Sequence, residues 1–359
     1  MLPEPRLHFD RQKQYDTTIM TSKSFSAVRT ENHQTVRGYI CIALTTILFS
    51  SMEIALKTLT GVFNPLQLNF LRFVIGGIFL FPIALHSLKS RRAVIEGRDY
   101  LFFAVSGFAC VVLSMTLYQL AIQYTKAGIV AILFSCNPVF VVPLAAIFLK
   151  ERIHAYNIAT LVVSLVGMFC IVNPFGATME VSPAGVVLSI GAAIIFAVYS
   201  VMGKTRGRRI GGLATTAFSF VFGSIEMGIV ILLTRIPGVA HLLGSISLGA
   251  FANIPFFTGL SLHVLPVFAY VCLCVTGIGF ASYFIAIELT SASTAAIVFY
   301  IKPALAPILA LIILGELITP GTIAGIVLIA AGSLITVFGA QRNKLSPVVK
   351  NQTAENAKR

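Results

Sequence analysis

Tyr118–Ile153 reads YQLAIQYTKAGIVAILFSCNPVFVVPLAAIFLKERI, and Tyr283–Ile318 reads YFIAIELTSASTAAIVFYIKPALAPILALIILGELI. Set against each other at a constant offset of 165 with no gap, 15 of 36 positions are identical. Shared apolar composition accounts for matches at Ala, Ile and Leu. It does not put Tyr118/Tyr283, Thr125/Thr290, Pro138/Pro303 and Glu151/Glu316 in register. The stretch therefore reads as one half of an internal duplication. A weaker match at an offset of 147 joins Gly38, Phe49 and Lys57 to Gly185, Phe196 and Lys204, which carries the duplication toward the N-terminus.

The rest of the chain fits a duplicated membrane bundle. Of 359 residues, 57% are apolar and 11% charged, with a mean hydropathy of +0.91. A soluble domain carries about 25% charged residues, so this composition excludes a soluble enzyme, a disordered chain and a secreted disulfide scaffold. Apolar runs of about 20 residues mark membrane helices. Ten occur here, at about 38–56, 66–88, 101–124, 127–149, 157–172, 183–202, 212–234, 264–289, 293–314 and 319–338. The expected fold is an all-α integral membrane protein of ten transmembrane helices, with five-helix repeats at 38–172 and 183–338 between a polar tail, 1–37, and a basic tail, 339–359. Five is odd, so the second repeat lies inverted relative to the first. Inverted repeats are an architecture of secondary transporters, with the solute site at the repeat interface.

The net charge of +13 is explained by position. With the N-terminus cytoplasmic, 21 basic residues fall on the cytoplasmic side and three outside (Lys57, Lys126 and Arg235), while Arg72 and Lys302 lie within spans. That is the positive-inside pattern. It calls for an even number of crossings, places both ends in the cytoplasm and removes any need for nucleic acid. Residues 242–260 (LLGSISLGAFANIPFFTGL) are apolar enough to be an eleventh span. An eleventh crossing would send the basic tail outside, so an interfacial helix or a re-entrant segment is expected.

These features resemble the drug/metabolite transporter superfamily, in particular its EamA-type ten-helix permeases. The resemblance rests on the tandem five-helix units, on NPLQLNFLRF opening the second span, on Pro138 and Pro303, and on Glu151 and Glu316 closing FLKERI and ILGELI. It covers about residues 38–340. It implies a permease for small metabolites, amino acids or drugs in a bacterial-type inner membrane. Many relatives carry Trp in the first span; this chain has none and shows Ser51-Met52-Glu53 there.

Four ionisable residues lie inside the runs: Glu53, Arg72, Glu226 and Lys302. Each costs about 2.5–3.5 kcal/mol at the centre of a membrane helix on insertion scales, so each needs a partner or a function. Counting about 1.5 Å of rise per residue puts the first three toward the outer face and Lys302 near mid-depth. The bland arrangement is structural ion pairs, for example Glu53 with Arg72. The functional one has Lys302 meeting an anionic group of a solute, or a carboxylate (Glu53 or Glu226) whose pairing changes during transport.

Lys302-Pro303 has a counterpart in Asn137-Pro138. Both prolines are expected to break their helices, Pro303 leaving the Phe299 carbonyl without its helical donor. Tyr118, Tyr283 and Tyr300 are candidates to line a cavity or simply to pack, with their hydroxyls held by neighbours. Glu53 and Glu226 are the candidate proton carriers. Glu151 and Glu316 are expected to bond the start of the following span, with gating as the alternative. The six cysteines read as small apolar residues.

No phosphate-binding glycine loop, HExxH or GxSxG is present, so no catalytic residue, metal or cofactor is assigned. The expected function is secondary transport of a small polar or zwitterionic metabolite by alternating access, driven by a gradient, exchange or proton coupling. Partners are the solute and the bilayer, with a homodimer left open. The rivals are a multidrug exporter of the same fold and a membrane-embedded lipid-handling protein.

Overall fold

A computed structural model describes residues 34–151, 153–172, 182–245, 249–332, 334–335 and 339. Residues 1–33 and 340–359, most of the two expected tails, lie outside the described residues. In lipid each backbone N–H and C=O must find its partner within the segment, which makes apolar runs helical. All regular structure among the described residues is helical, beside one isolated bridge between Thr60 and Phe63.

Eight helices are long and apolar enough to span: α1 (Gln34–Thr58), α2 (Pro65–Arg91), α3 (Gly97–Tyr124), α4 (Ala127–Leu149), α6 (Pro183–Ile210), α7 (Gly212–Leu233), α8 (Leu265–Leu289) and α9 (Ala292–Leu314). Two shorter apolar helices, α5 (Ala155–Gly167) and α10 (Pro320–Gly332), occupy the places of the fifth and tenth runs.

Local chemistry sets the ends. The NPLQ motif is a capping box: Asn64 Oδ1 accepts from Leu66 N at 3.0 Å and Gln67 Oε1 from Asn64 N at 3.3 Å, with Pro65 at the first helical position. Among the described residues of 242–260, no helix is long enough to span. The helix there, Pro237–Ser245, has nine residues, about 13 Å against a core of about 30 Å. The segment after it is tied to the start of α2, through Asn64 Nδ2 to Ala250 O at 3.0 Å and Gln67 Nε2 to Thr258 O at 2.7 Å.

The duplication reappears in packing. α3 and α8 each contain a stretch of wide π-type turns, Phe108–Ser114 and Tyr270–Gly279, whose last residues match at the offset of 165. Gly76 of α2 sits against Cys272, Thr276 and Gly277 of α8, and Gly223 of α7 against Gly107 and Val111 of α3. These are the same contact under the two sequence offsets. So are Gly38 against Thr290 and Gly185 against Thr125. In each pair, a helix of one half lies on a helix of the other, and small residues allow the approach.

The centre is aromatic and drawn from both halves. Phe49 stands 5.0 Å from Phe280 and 6.3 Å from Phe299, and Phe196 stands 5.9 Å from Phe299 and 5.4 Å from Phe134, ring centre to ring centre.

Candidate functional site

Both α4 and α9 are broken toward their starts, α4 after eight residues and α9 after four. α4 divides into Ala127–Phe134 and Asn137–Leu149, and α9 into Ala292–Ala295 and Val298–Leu314. Pro138 opens the second piece of α4, as expected of a proline in a first turn. Pro303 lies inside the second piece of α9, and the break comes earlier, at Ala296-Ile297. This corrects the expectation that Pro303 breaks the helix. Losing one N–H bends a helix without ending it when packing holds both sides, and the first turn of α9 is a separately capped unit, with Ser291 Oγ accepting from Thr294 N at 2.9 Å.

Lys302 follows that break and is wholly buried. Its ammonium is ion-paired with Glu53 Oε1 of α1, whose carboxylate is equally buried. It also reaches the Tyr118 hydroxyl at 3.4 Å and lies 5.6 Å from the Tyr118 ring centre and 5.2 Å from that of Phe134. Glu53 therefore pairs with Lys302, one of the arrangements the sequence left open, and not with Arg72. Residue counting placed Glu53 and Lys302 at different depths. The long lysine side chain spans the difference, and α1 starts at Gln34, earlier than the apolar run suggested.

The other candidates are placed as follows. Arg72, also wholly buried, donates from Nε and Nη2 to Asn69 Oδ1 at 3.2 and 3.0 Å. Asn137 Nδ2 donates to Ala193 O of α6 at 2.8 Å, and its Oδ1 is buried without a partner. Tyr283 packs among Phe49, Phe196 and Phe284, with its hydroxyl 3.4 Å from Ser200 Oγ. Tyr300 faces a small cavity beside Cys136, Pro138 and Ser164. Glu226 is not brought to the cluster. It is half-buried on α7, with Oε2 unpartnered, and the one carboxylate acting on Lys302 is Glu53. Its place one-third of the way from the end of α7 separates it from the break in α9.

Two further pairs join the halves at opposite ends of the bundle. Glu316, just past α9, accepts from the Ala127 and Gly128 amides of α4 at 2.8 and 3.0 Å. Glu151, just past α4, accepts from Ser293 Oγ of α9 at 2.7 Å. Neither bonds the following span, as sequence suggested. Each crosses to the other half, because α4 and α9 lie antiparallel and the end of one meets the start of the other.

Lys57 and Lys204 lie just beyond the apolar runs at 38–56 and 183–202, and both prove to be helical. Lys57 Nζ donates to Ile122 O and Thr125 O at 2.7 and 2.9 Å. Lys204 Nζ donates to Ile287 O and, at 3.1 Å, to Thr290 O. Each ammonium thus satisfies carbonyls at a helix C-terminus, where a cation is favoured. The offset match of Lys57 with Lys204 was the available signal for this role; nothing in the sequence marked Asn69 as the partner of Arg72.

The model of the EamA-like transporter family matches residues 36–173 and again 183–338. An uncharacterized transporter of Clostridium kluyveri is 35% identical over 327 residues, covering 89% of this chain and 99% of that protein. A protein named "probable terminal-alkyne amino-acid exporter" in Streptantibioticus cattleyicolor is 27% identical over 313 residues, covering 85% of this chain and 96% of its own length. Among solved structures, one crystal structure superposes with a TM-score of 0.61 at 19% identity, covering 87% of this chain and 99% of that one. That likeness speaks to the fold.

Proposed function

This chain belongs to the EamA-like transporter family, and from that premise we propose that it is a secondary transporter moving a small polar or zwitterionic solute by alternating access. In this reading ten helices form two inverted five-helix repeats, and both chain ends face the cytoplasm of a bacterial-type inner membrane. The Lys57 end of the bundle is then the outer end and the Lys204 end the inner one.

One observation carries the reading. The first helix of one half and the broken ninth helix of the other meet in a buried ion pair, Glu53–Lys302, ringed by aromatic side chains. Irregular backbone and ionised side chains within a membrane bundle mark solute and ion pathways. Wholly buried between the two halves, the pair is the point about which this reading has them rock. The end contacts support the same motion. Glu316 ties α9 to α4 at the outer end and Glu151 ties α4 to α9 at the inner end, so opening one while the other holds exposes the centre to one side at a time.

Glu53 is the candidate coupling group. A proton on its carboxylate removes the charge that holds Lys302, freeing the ammonium for a solute. The test is solute uptake into proteoliposomes, screened across metabolites at two external pH values. Uptake that follows an imposed solute or proton gradient supports the reading, and a chain that moves none of the solutes under either gradient refutes it. The aromatic ring around Lys302 favours one rival, a multidrug exporter, which would bind bulky cations and apolar amines in place of small metabolites in the same screen.

A further inference from the structure

The buried centre carries an unbalanced charge. Glu53 and Lys302 neutralise each other. Arg72 is equally buried, yet none of the ion pairs among the described residues includes it. Tyr118, Cys110, Cys272 and Glu53 are the ionisable groups that act on it electrostatically, and Glu226 is not among them. Glu53 is committed to Lys302, so Arg72 leaves a surplus of one positive charge. Guanidinium does not lose its proton in proteins, and a buried charge without a counter-ion is costly.

The hydrogen bonds of Arg72 define what is missing. Guanidinium has five N–H donors in a fixed fork. Two go to Asn69 Oδ1, and Nη1 is otherwise 3.9 Å from the thioether sulfur of Met52. One N–H on each terminal nitrogen is left without an acceptor. Those two donors are the pair that a carboxylate takes bidentately. The rest of the group is fixed. Asn69 Nδ2 donates to Val111 O at 2.7 Å and to Thr116 Oγ1 at 3.2 Å, and the guanidinium stands over the Phe73 ring at 4.8 Å. Val111 belongs to the wide-turn stretch of α3, and Cys272 to its counterpart in α8. Two such stretches therefore border the arginine, and insertions of this kind gather at functional sites.

We propose that Arg72 is the receptor for a carboxylate of the transported solute, gripped by its two terminal nitrogens, and that a free carboxylate is what the site selects for. This deepens the transporter reading and rests on it. A monoanionic carboxylate cancels the surplus charge, whereas a phosphate dianion overshoots it. A zwitterion is accommodated through its acid end, with Glu53 in position to share its carboxylate with an ammonium. Lys302, already neutralised, is not the primary anion contact that its depth in the sequence suggested.

The experiment uses the purified full-length chain in detergent, with thermal unfolding followed by a dye that reports newly exposed cysteine thiols. The probes are sodium salts of two- to six-carbon monocarboxylates and the L-amino acids, each beside its amide and its decarboxylated amine, with phosphate as a further arm and sodium chloride holding ionic strength constant. At least one carboxylate is expected to raise the unfolding midpoint by several degrees while its amide and amine do not. Arg72→Gln abolishes that shift. Arg72→Lys, which keeps the charge and loses the fork, needs at least tenfold more carboxylate for half the effect. Asn69→Asp neutralises the guanidinium from within, at the cost of the Val111 and Thr116 hydrogen bonds, and removes the response.

The assignment is overturned if amide and acid act alike, if phosphate outperforms every carboxylate, if no carboxylate acts on the wild type, or if Arg72→Gln keeps the shift. Proteoliposomes separate this from failure of the transporter reading. Transport of a solute with no acid group sinks the role of Arg72 alone, while an intact carboxylate shift with no transport of that carboxylate sinks the transporter.

Discussion

Glu316 holds the backbone amide of Gly128, 3.0 Å from its carboxylate, across the boundary between the two halves of the chain. The matching contact at the other end, Glu151 with Ser293, uses a side-chain hydroxyl. The difference follows from one residue. Ser291 caps the start of α9 through Thr294 N, whereas its counterpart Lys126 gives the start of α4 no side-chain cap. The carboxylate of Glu316 fills that role from outside the helix, where a negative group is also favoured by the helix dipole.

Unequal effects at the two ends are therefore expected. Glu316→Ala strips the start of α4 of its cap and should cost about 0.5–2 kcal/mol, the range for losing an N-cap. Glu151→Ala leaves the Ser291 cap in place and should cost less. In thermal unfolding Glu316→Ala has the lower midpoint of the two. A cysteine replacing Tyr118 becomes more reactive to a membrane-impermeant reagent added at the Glu316 end. Equal midpoints and unchanged labelling would remove the distinction between the two contacts.

Close packing gives a second expectation. A Cβ at Gly107 would lie 2.5 Å from both Gly223 N and Ser219 O, backbone atoms that cannot rotate away. Gly107→Ala should force α3 and α7 apart and lower the yield of folded, monodisperse protein, an overpacking penalty of about 1–3 kcal/mol or more. Gly97→Ala, where nothing lies within 4 Å, is the control and should unfold at the wild-type temperature. Gel-filtration profiles and melting curves read both.

Much of this arrangement was legible in the sequence, and the limits have physical causes. Lipid demands helices of fixed length, so hydropathy alone located the spans. The offset of 165 anticipated that Glu151 and Glu316 would be counterparts. It did not show that each reaches the other half, because a linear repeat does not say which surfaces face one another. The Glu53–Lys302 pair stood among the arrangements the sequence left open, beside Glu53–Arg72 and Lys302–Glu226, and nothing linear chooses among them. Residue counting measures depth along straight helices and ignores the reach of a lysine and the break before Val298. Asn69 carried no signal, since its role depends on the Val111 carbonyl within an irregular turn.

Lys57 and Lys204 test whether matched residues still do matched work. Both cap the C-terminal carbonyls of a neighbouring helix in their own half, but Lys204 is buried and Lys57 half-buried. Replacement by Met keeps the aliphatic stem and removes the donors. A buried carbonyl left without its donor costs about 1–3 kcal/mol, so Lys204→Met should lower the melting midpoint more than Lys57→Met. If Lys57→Met proves the more damaging, the Lys57 end is held more tightly than its burial indicates.

The central pair gives the sharpest separation between stability and transport. Lys302→Ala leaves Glu53 ionised and buried, and removing one partner of such a pair costs about 3–5 kcal/mol. Glu53→Gln with Lys302→Met removes both charges at similar volume. Because replacing a buried pair by neutral groups of like size is often nearly neutral, the double variant should recover most of the melting midpoint lost by Lys302→Ala. It should not recover uptake, since neither a releasable ammonium nor a titrating carboxylate remains. Recovery of the midpoint with silent proteoliposomes places the pair in the transport cycle. Recovery of both midpoint and uptake reduces Glu53 and Lys302 to a structural neutralisation, and the solute site must then be sought elsewhere in the bundle.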